Sequence, residues 1–194
     1  MLSRMRPGRF LIEVQQTRDG DDFPAPHEVQ AVYRAASAEP PLSESENVAR
    51  LFGTLYATAI KNEQVVCVSA RDDDRLVGLA YGHPWSWNEQ RDSWSQDLNE
   101  GLGAKATSLD NTFVISLLAR DPGVGGAGLG RRLLDELIAA VDPLACWLVT
   151  TDIDSPARAL YAARGFHSVG HGPHAPDGRP GLVMLRGKDQ SDRD

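Results

Sequence analysis

Cysteine is scarce in this chain of 194 residues, long apolar runs are missing, and positive charge is in the minority. The two cysteines, Cys67 and Cys146, lie in apolar strand-like runs, and neither has a partner at metal-ligand spacing. The five histidines form no cluster with them, which excludes a disulfide framework and a zinc site and leaves reduced core thiols as the expectation. No apolar stretch approaches the ~20 residues that cross a bilayer, so no membrane span is expected. The N-terminus, Met1-Leu2-Ser3-Arg4-Met5-Arg6-Pro7-Gly8, is interrupted by arginine and proline where a secretory leader needs an apolar stretch, and a cytoplasmic location is expected. Twenty Lys and Arg against 27 Asp and Glu leave a net charge of -7. That balance argues against a nucleic-acid partner, which would need a basic face for its phosphates.

What is present is ordinary for a folded domain: 41% hydrophobic and 24% charged residues. One domain over 9–187 is expected, between an N-terminal tail (1–8) and a C-terminal tail (188–194). Residues 9–17 read as a first strand, and 24–38 and 43–60 as two helices. The second has a capping box in Ser43 and Glu46 and a predicted buried face of Val48, Leu51, Leu55 and Ala59. Runs 64–70 and 76–83 predict an antiparallel hairpin. In the polar segment 84–110, Trp85, Trp87 and Trp94 either wall an acceptor pocket or belong to an extra helix packed through Trp94, Leu98 and Leu102. Then come an apolar strand at 112–120 and a glycine turn. A strong amphipathic helix follows, in which Leu129, Leu133, Leu137 and Val141 step by four beside Leu134 and Ile138. A strand at 146–151, a helix at 156–164 and strands at 166–169 and 182–185 close the chain, with His171 and His174 in the loop between the last two. This order is an α/β arrangement on a mixed sheet of about seven strands with flanking helices, not a regular alternation of parallel units.

The turn carries five glycines in eight residues, Gly123, Gly125, Gly126, Gly128 and Gly130, between a buried strand and a helix start. Glycine admits positive φ and lets a ligand come close to the main chain. The first helical turn adds free N–H groups and the positive end of the macrodipole, which together favour a phosphate. Gly123, Gly125 and Gly128 also satisfy G-x-G-x-x-G, with Asp152 as a ribose partner, but too little chain follows residue 130 to build a dinucleotide fold. A Walker loop is excluded because no Lys-Ser/Thr follows the last glycine.

Two motifs in order then carry a family resemblance. The first is Leu118-Ala119-Arg120-Asp121-Pro122 followed by Gly125-Gly126-Ala127-Gly128-Leu129-Gly130. The second is Asp154-Ser155-Pro156-Ala157-Arg158-Ala159-Leu160-Tyr161 followed by Gly165-Phe166. From Leu117 to Gly170 the sequence resembles the core of the GCN5-related N-acetyltransferases (GNAT). Gly125 stands where that family usually has Arg or Gln, Asp154 where Asn is common, and Leu117 where many members carry a glutamate that helps deprotonate the amine. The resemblance implies a GNAT-like acyl-CoA N-acyltransferase fold with acetyl-CoA as co-substrate and no metal. The pantetheine arm would pair with backbone at Leu118, Ala119 and Arg120. The pyrophosphate would sit over Gly125, Gly126, Ala127, Gly128, Leu129 and Gly130, with Arg131 and Asp154 nearby. Tyr161 is then the candidate proton donor to the leaving thiolate. His83 is the candidate base, with Asp110 and Asp121 behind it. The expected acceptor is an amine of a small molecule, a protein acceptor ranking second, and a homodimer is the expected assembly. A non-catalytic acyl-CoA sensor and a dinucleotide-dependent oxidoreductase are the competing readings.

Overall fold

The computed structural model describes residues 10–19, 22–124, 128–175 and 178–188. The tails read from the sequence, apart from Lys188, lie outside these residues. Seven strands form a mixed sheet: β1 (Leu11–Gln16), β2 (Val66–Asp72), β3 (Arg75–Trp85), β4 (Thr112–Arg120), β5 (Cys146–Thr151), β6 (His167–Gly172) and β7 (Gly181–Arg186). Their order is β1-β2-β3-β4-β5-β7-β6. Five helices accompany them: α1 (Pro26–Ser37), α2 (Glu46–Asn62), α3 (Ser93–Leu102), α4 (Leu129–Val141) and α5 (Pro156–Ala163). The chain divides into two compact units, one built from residues 1–81 and 117–140 and the other from 82–116 and 141–194.

The first unit packs α1, α2 and α4 with β1, β2 and the nearer parts of β3 and β4. β1 runs antiparallel to β2 from Leu11↔Arg71 to Gln16↔Val66. β2 and β3 are joined by Asp73-Asp74 alone, with Asp73 at φ 51°, so the hairpin closes more tightly than the gap between runs 64–70 and 76–83 suggests. Glu28 fixes the start of α1. Its Oε2 accepts the Ala25 N–H at 2.8 Å, and its two oxygens take the Arg71 guanidinium at 2.8 and 3.0 Å.

α2 departs from the sequence expectation. It begins after Ser45, while Ser43 takes a positive φ of 50° and cannot cap it. Its buried row is Ala49, Gly53 and Tyr56, and Leu51 and Leu55 are exposed. The reason is the closeness of α1: a Cβ on Gly53 would sit 3.1 Å from Gln30 Cβ and 3.2 Å from the Pro26 carbonyl. Only a small residue fits at that crossing, while Tyr56 is buried farther along α2 and Leu51 and Leu55 turn outward. α4 meets its expectation, with Leu129, Leu133, Leu134 and Leu137 buried, each contributing roughly 1.5–3 kcal/mol.

The second unit gathers Trp85, Leu98, Leu109, Val114, Trp147, Val169 and Val183 into one core. Segment 84–110 does form a helix, α3, whose N-cap Asp92 accepts the Ser95 N–H at 3.0 Å. Ser95 is buried beside Leu98 and Leu102, its hydroxyl satisfied by Asp92, and Trp94 stays at the margin, 41% exposed. At the start of this unit β3 presses on β4: a Cβ on Gly82 would lie 2.0 Å from the Val114 carbonyl oxygen. β5 and β7 pair antiparallel from Cys146↔Arg186 to Thr151↔Gly181, and β6 pairs with β7 around a bulge between Ser168 and Gly170. β6 extends to Gly172, so His171 is a strand residue and not a loop residue.

Candidate active site

In the first unit, the residues expected to hold coenzyme A lie at the end of β4 and the mouth of α4. The parallel β4–β5 ladder consists of Phe113↔Cys146, Val114↔Trp147 and Ile115↔Leu148, and β4 runs on past it to Arg120. On that extension Leu118 is half-buried, Ala119 is buried and Arg120 is exposed. Leu117 is packed in the core with Tyr56 and Tyr81, so no carboxylate occupies the strand position where many GNAT members carry one.

Asp121 then organises the turn. Its carboxylate takes Arg75 at 2.6 Å and the Gly123 N–H at 2.8 Å, and its own N–H donates to the Val77 carbonyl at 2.8 Å. This is a loop anchor, which removes Asp121 as a free base. Gly125, Gly126 and Ala127 lie outside the described residues. Gly128 has φ 106°, a conformation that side chains oppose, and accepts the Arg132 N–H at 2.9 Å. Leu129, Gly130 and Arg131 form the first turn of α4, where helix geometry gives their N–H groups no partner within the helix. Arg131 and Arg132 are exposed on the first turn, adding positive charge to the helix dipole.

The second unit holds the candidate chemistry. Tyr161 lies on α5, 7% exposed, its ring 5.9 Å from that of Phe166. Burial pushes its phenol up to about 12, which keeps the proton on oxygen at neutral pH. Ser155 caps α5 through the Arg158 N–H at 3.2 Å, and Pro156 opens the helix. Asp154 is fully exposed, 3.9 Å from Arg158. His83 lies near the end of β3, half-buried, with Nδ1 2.9 Å from the Pro84 carbonyl. Asp110 accepts the Trp87 N–H at 2.9 Å and is a structural carboxylate as well.

The three tryptophans divide. Trp85 is core, stacked edge-on against Trp147 at 5.0 Å and Trp87 at 5.2 Å. Trp87 is held by its Nε1–H to the Ala106 carbonyl at 2.8 Å. It lines a cavity of about 250 Å³ with Gln90, Ser95, Gln96, Asn99 and Glu100. The extra helix read from the sequence is thus present as α3, packed through Leu98 and Leu102 with Trp94 at its margin.

Sequence reasoning missed one constellation. Asp152, at the end of β5, takes Arg158 Nη1 at 2.9 Å on one oxygen and His171 Nε2 at 2.8 Å on the other. His171 first, and the Arg158 charge after it, hold the Asp152 carboxyl below the usual range. The partners are separated by up to 19 residues, and only the pairing of β5 and β6 with β7 brings them together.

Comparison with known proteins assigns the family. The acetyltransferase (GNAT) family model matches residues 29–166. A histone acetyltransferase HPA2 and related acetyltransferase from Corynebacterium glutamicum shares 18% identity at a TM-score of 0.59, covering 95% of this chain and 99% of that one. The ribosomal-protein-S18-alanine N-acetyltransferase of Escherichia coli gives 16% identity, a TM-score of 0.55 and coverage of 95% and 99%. The PaiA N-acetyltransferase of Thermoplasma acidophilum, solved with coenzyme A, gives 13%, 0.52 and coverage of 91% and 99%. No curated protein sequence matches. The chain belongs to the GNAT acetyltransferase family, whose members move an acyl group from coenzyme A to an acceptor. Among the described residues no helix is long and apolar enough to cross a membrane, and no three His, Cys, Asp or Glu side chains converge as metal ligands.

Proposed function

We propose that the protein transfers an acetyl group from acetyl-CoA to an amine of a small molecule, by direct attack within a ternary complex. The observation that carries this reading is Tyr161, a buried phenol kept protonated on a helix of the family's second motif. The remaining roles fall to named groups. The N–H groups of Leu129, Gly130 and Arg131, with Gly128 and the loop residues Gly125, Gly126 and Ala127, take the pyrophosphate. The backbone of Leu118, Ala119 and Arg120 takes the pantetheine arm as an added strand would. Asp154 belongs to the same motif as Tyr161 and is assigned to the cofactor side. Coenzyme A supplies the thioester; the protein aligns the two reactants and protonates the departing thiolate through Tyr161. Deprotonation of the amine falls to an acceptor-side base, for which His83 is the residue read from the sequence.

The open depression beside Trp87 is where we assign a small acceptor. At about 250 Å³ it holds the equivalent of about eight waters, and it offers an indole wall, side-chain amides and the Glu100 carboxylate to a cationic amine. The same reading treats residues 9–187 as one acyltransferase domain, acting in the cytoplasm as a homodimer, on its likeness to the family.

Incubation with acetyl-CoA and a panel of small amines, followed by free-thiol release, tests the assignment. Thiol release matched by acetylated amine is expected. Coenzyme A binding with no release across the panel would favour a sensor, for which the apolar Leu117 is the motive. Acetylation of a peptide N-terminus alone would move the acceptor to proteins.

A further inference from the structure

We infer that His171, oriented by Asp152 and Arg158, is the general base of the transfer reaction; this rests on the acetyltransferase reading above. The second unit contains His83, His167, His171 and His174, and among the described residues His171 alone has a carboxylate against its ring. His83 meets only the Pro84 carbonyl. His171 gives Nε2 to Asp152 Oδ2 at 2.8 Å, and Asp152 is fixed in turn by Arg158 at 2.9 Å. An ionised carboxylate only accepts, so Nε2 carries the hydrogen and Nδ1 keeps its lone pair. That is the arrangement of an imidazole base whose tautomer and orientation are set by a carboxylate.

Arg158, which anchors Asp152, lies on the same helix as the proton donor. Arg158 and Tyr161 stand three residues apart on α5, on its inward face, where neighbours are about 5–6 Å apart at Cβ. The acid and the anchor of the base thus share one helical turn. His171 reaches Asp152 across β7 at Gly181, which pairs with both Thr151 and Gly172. A Cβ there would lie 2.3 Å from the Pro173 carbonyl, so the crossing point is bare of side chain. From the other side, α3 brings Gly101 against the His171 carbonyl, where a Cβ would come within 2.8 Å. The preceding residues, Asn99 and Glu100, line the cavity assigned to the acceptor. His171 is more than half exposed, open to an arriving amine.

The step balances without a further reagent. Nδ1 takes one proton from the ammonium and later returns it to water. The free amine attacks the thioester carbonyl, the C–N bond forms and the C–S bond breaks. The thiolate leaves with the Tyr161 proton, and the extra proton on the new amide nitrogen restores the phenol. The charged groups around the imidazole are Asp152, with Arg158 and Asp154 behind it, on the β5–α5 side. Glu100 stands at the end of α3, and Lys105 gives its Nζ to the Val169 carbonyl of β6 at 2.9 Å. β7 sets apolar Leu182 opposite.

The test is the pH profile of kcat/KM for an alkylamine, which is charged at neutral pH, beside an arylamine, which is not. His171→Gln is expected to lower kcat/KM for the alkylamine about 100-fold near pH 7, to erase the acidic limb, and to leave the KM for acetyl-CoA and the arylamine rate nearly unchanged. Asp152→Asn keeps the imidazole but not its orientation and should lower the alkylamine rate with the acidic limb displaced. Exogenous imidazole should restore part of the His171→Gln activity. A His171→Gln enzyme whose profile superimposes on the wild type overturns the assignment while the acetyltransferase reading stands. Wild-type protein that acetylates no amine overturns both.

Discussion

At the scale of single residues the pressing contrast is between polar groups that are used by the fold and those that are not. Asp110, Asp121 and Glu28 are each engaged by backbone N–H groups or arginine, and such carboxylates serve as fasteners. Tyr161 is different: among the described residues none hydrogen-bonds its hydroxyl, although the ring is buried. Removing a hydroxyl that holds no other part of the fold costs little stability. Tyr161→Phe is therefore expected to lower kcat about 100-fold while the melting temperature holds, read by thiol release and by calorimetry on the same sample. A parallel loss of both would recast the phenol as a packing residue. The role proposed for Tyr161 could be raised from the sequence because its neighbours Ala157, Leu160, Gly165 and Phe166 form a local pattern. The Asp152–His171 pair was not, because no local spacing joins a strand end to a position two strands away.

At the scale of elements, sequence periodicity located the seven strands and four of the five α-helices among the described residues, left α3 as one of two alternatives, and erred where tertiary contact chose between faces. α4 kept its leucine stripe because it lies on a sheet that accepts large side chains, and Gly78 beneath it is bare: a Cβ there would strike Leu133 Cδ1 at 2.9 Å. α2 did not, because α1 leaves room only for Ala49 and Gly53, and no property of α2 alone announces its neighbour's distance. The Ser43 and Glu46 capping pair failed for a related reason. Glu28 instead does the reaching-back at α1, where it also joins Arg71 of β2. Arg71 holds the Glu28 carboxyl below its ordinary value of 4.5. A depressed acid stabilises the fold above the unfolded value and loses that contribution as pH falls through the folded one. Glu28→Gln should thus cost about 1.5–3 kcal/mol at neutral pH, and less below pH about 4, in urea titrations at the two pH values. A penalty unchanged by acid would rule out the ion pair as its source.

At the scale of the whole molecule, each unit hides ionisable groups that must stay neutral. Burial pushes Cys146 up to about 11, Cys67 and Tyr161 to about 12, and Tyr56 and Tyr81 higher still. Here the folded values are raised, so the fold is fully stable below the unfolded ones, roughly 9 for thiols and 10 for phenols. It loses stability as pH climbs toward the folded values. The melting temperature is expected to fall steeply between about pH 9 and 11, with the phenolate absorption of these three tyrosines appearing only together with unfolding. Phenolate absorption that develops while the protein remains folded would refute the burial argument.

All four indoles of the chain, Trp85, Trp87, Trp94 and Trp147, belong to the second unit, and neither helix of the α1–α2 pair nor α4 contains one. Intrinsic emission is consequently a one-sided instrument. It can brighten, shift or dim when α3, β5 or the Trp87 cavity is disturbed, yet the α4 mouth and its glycine loop have no indole of their own to report what arrives there.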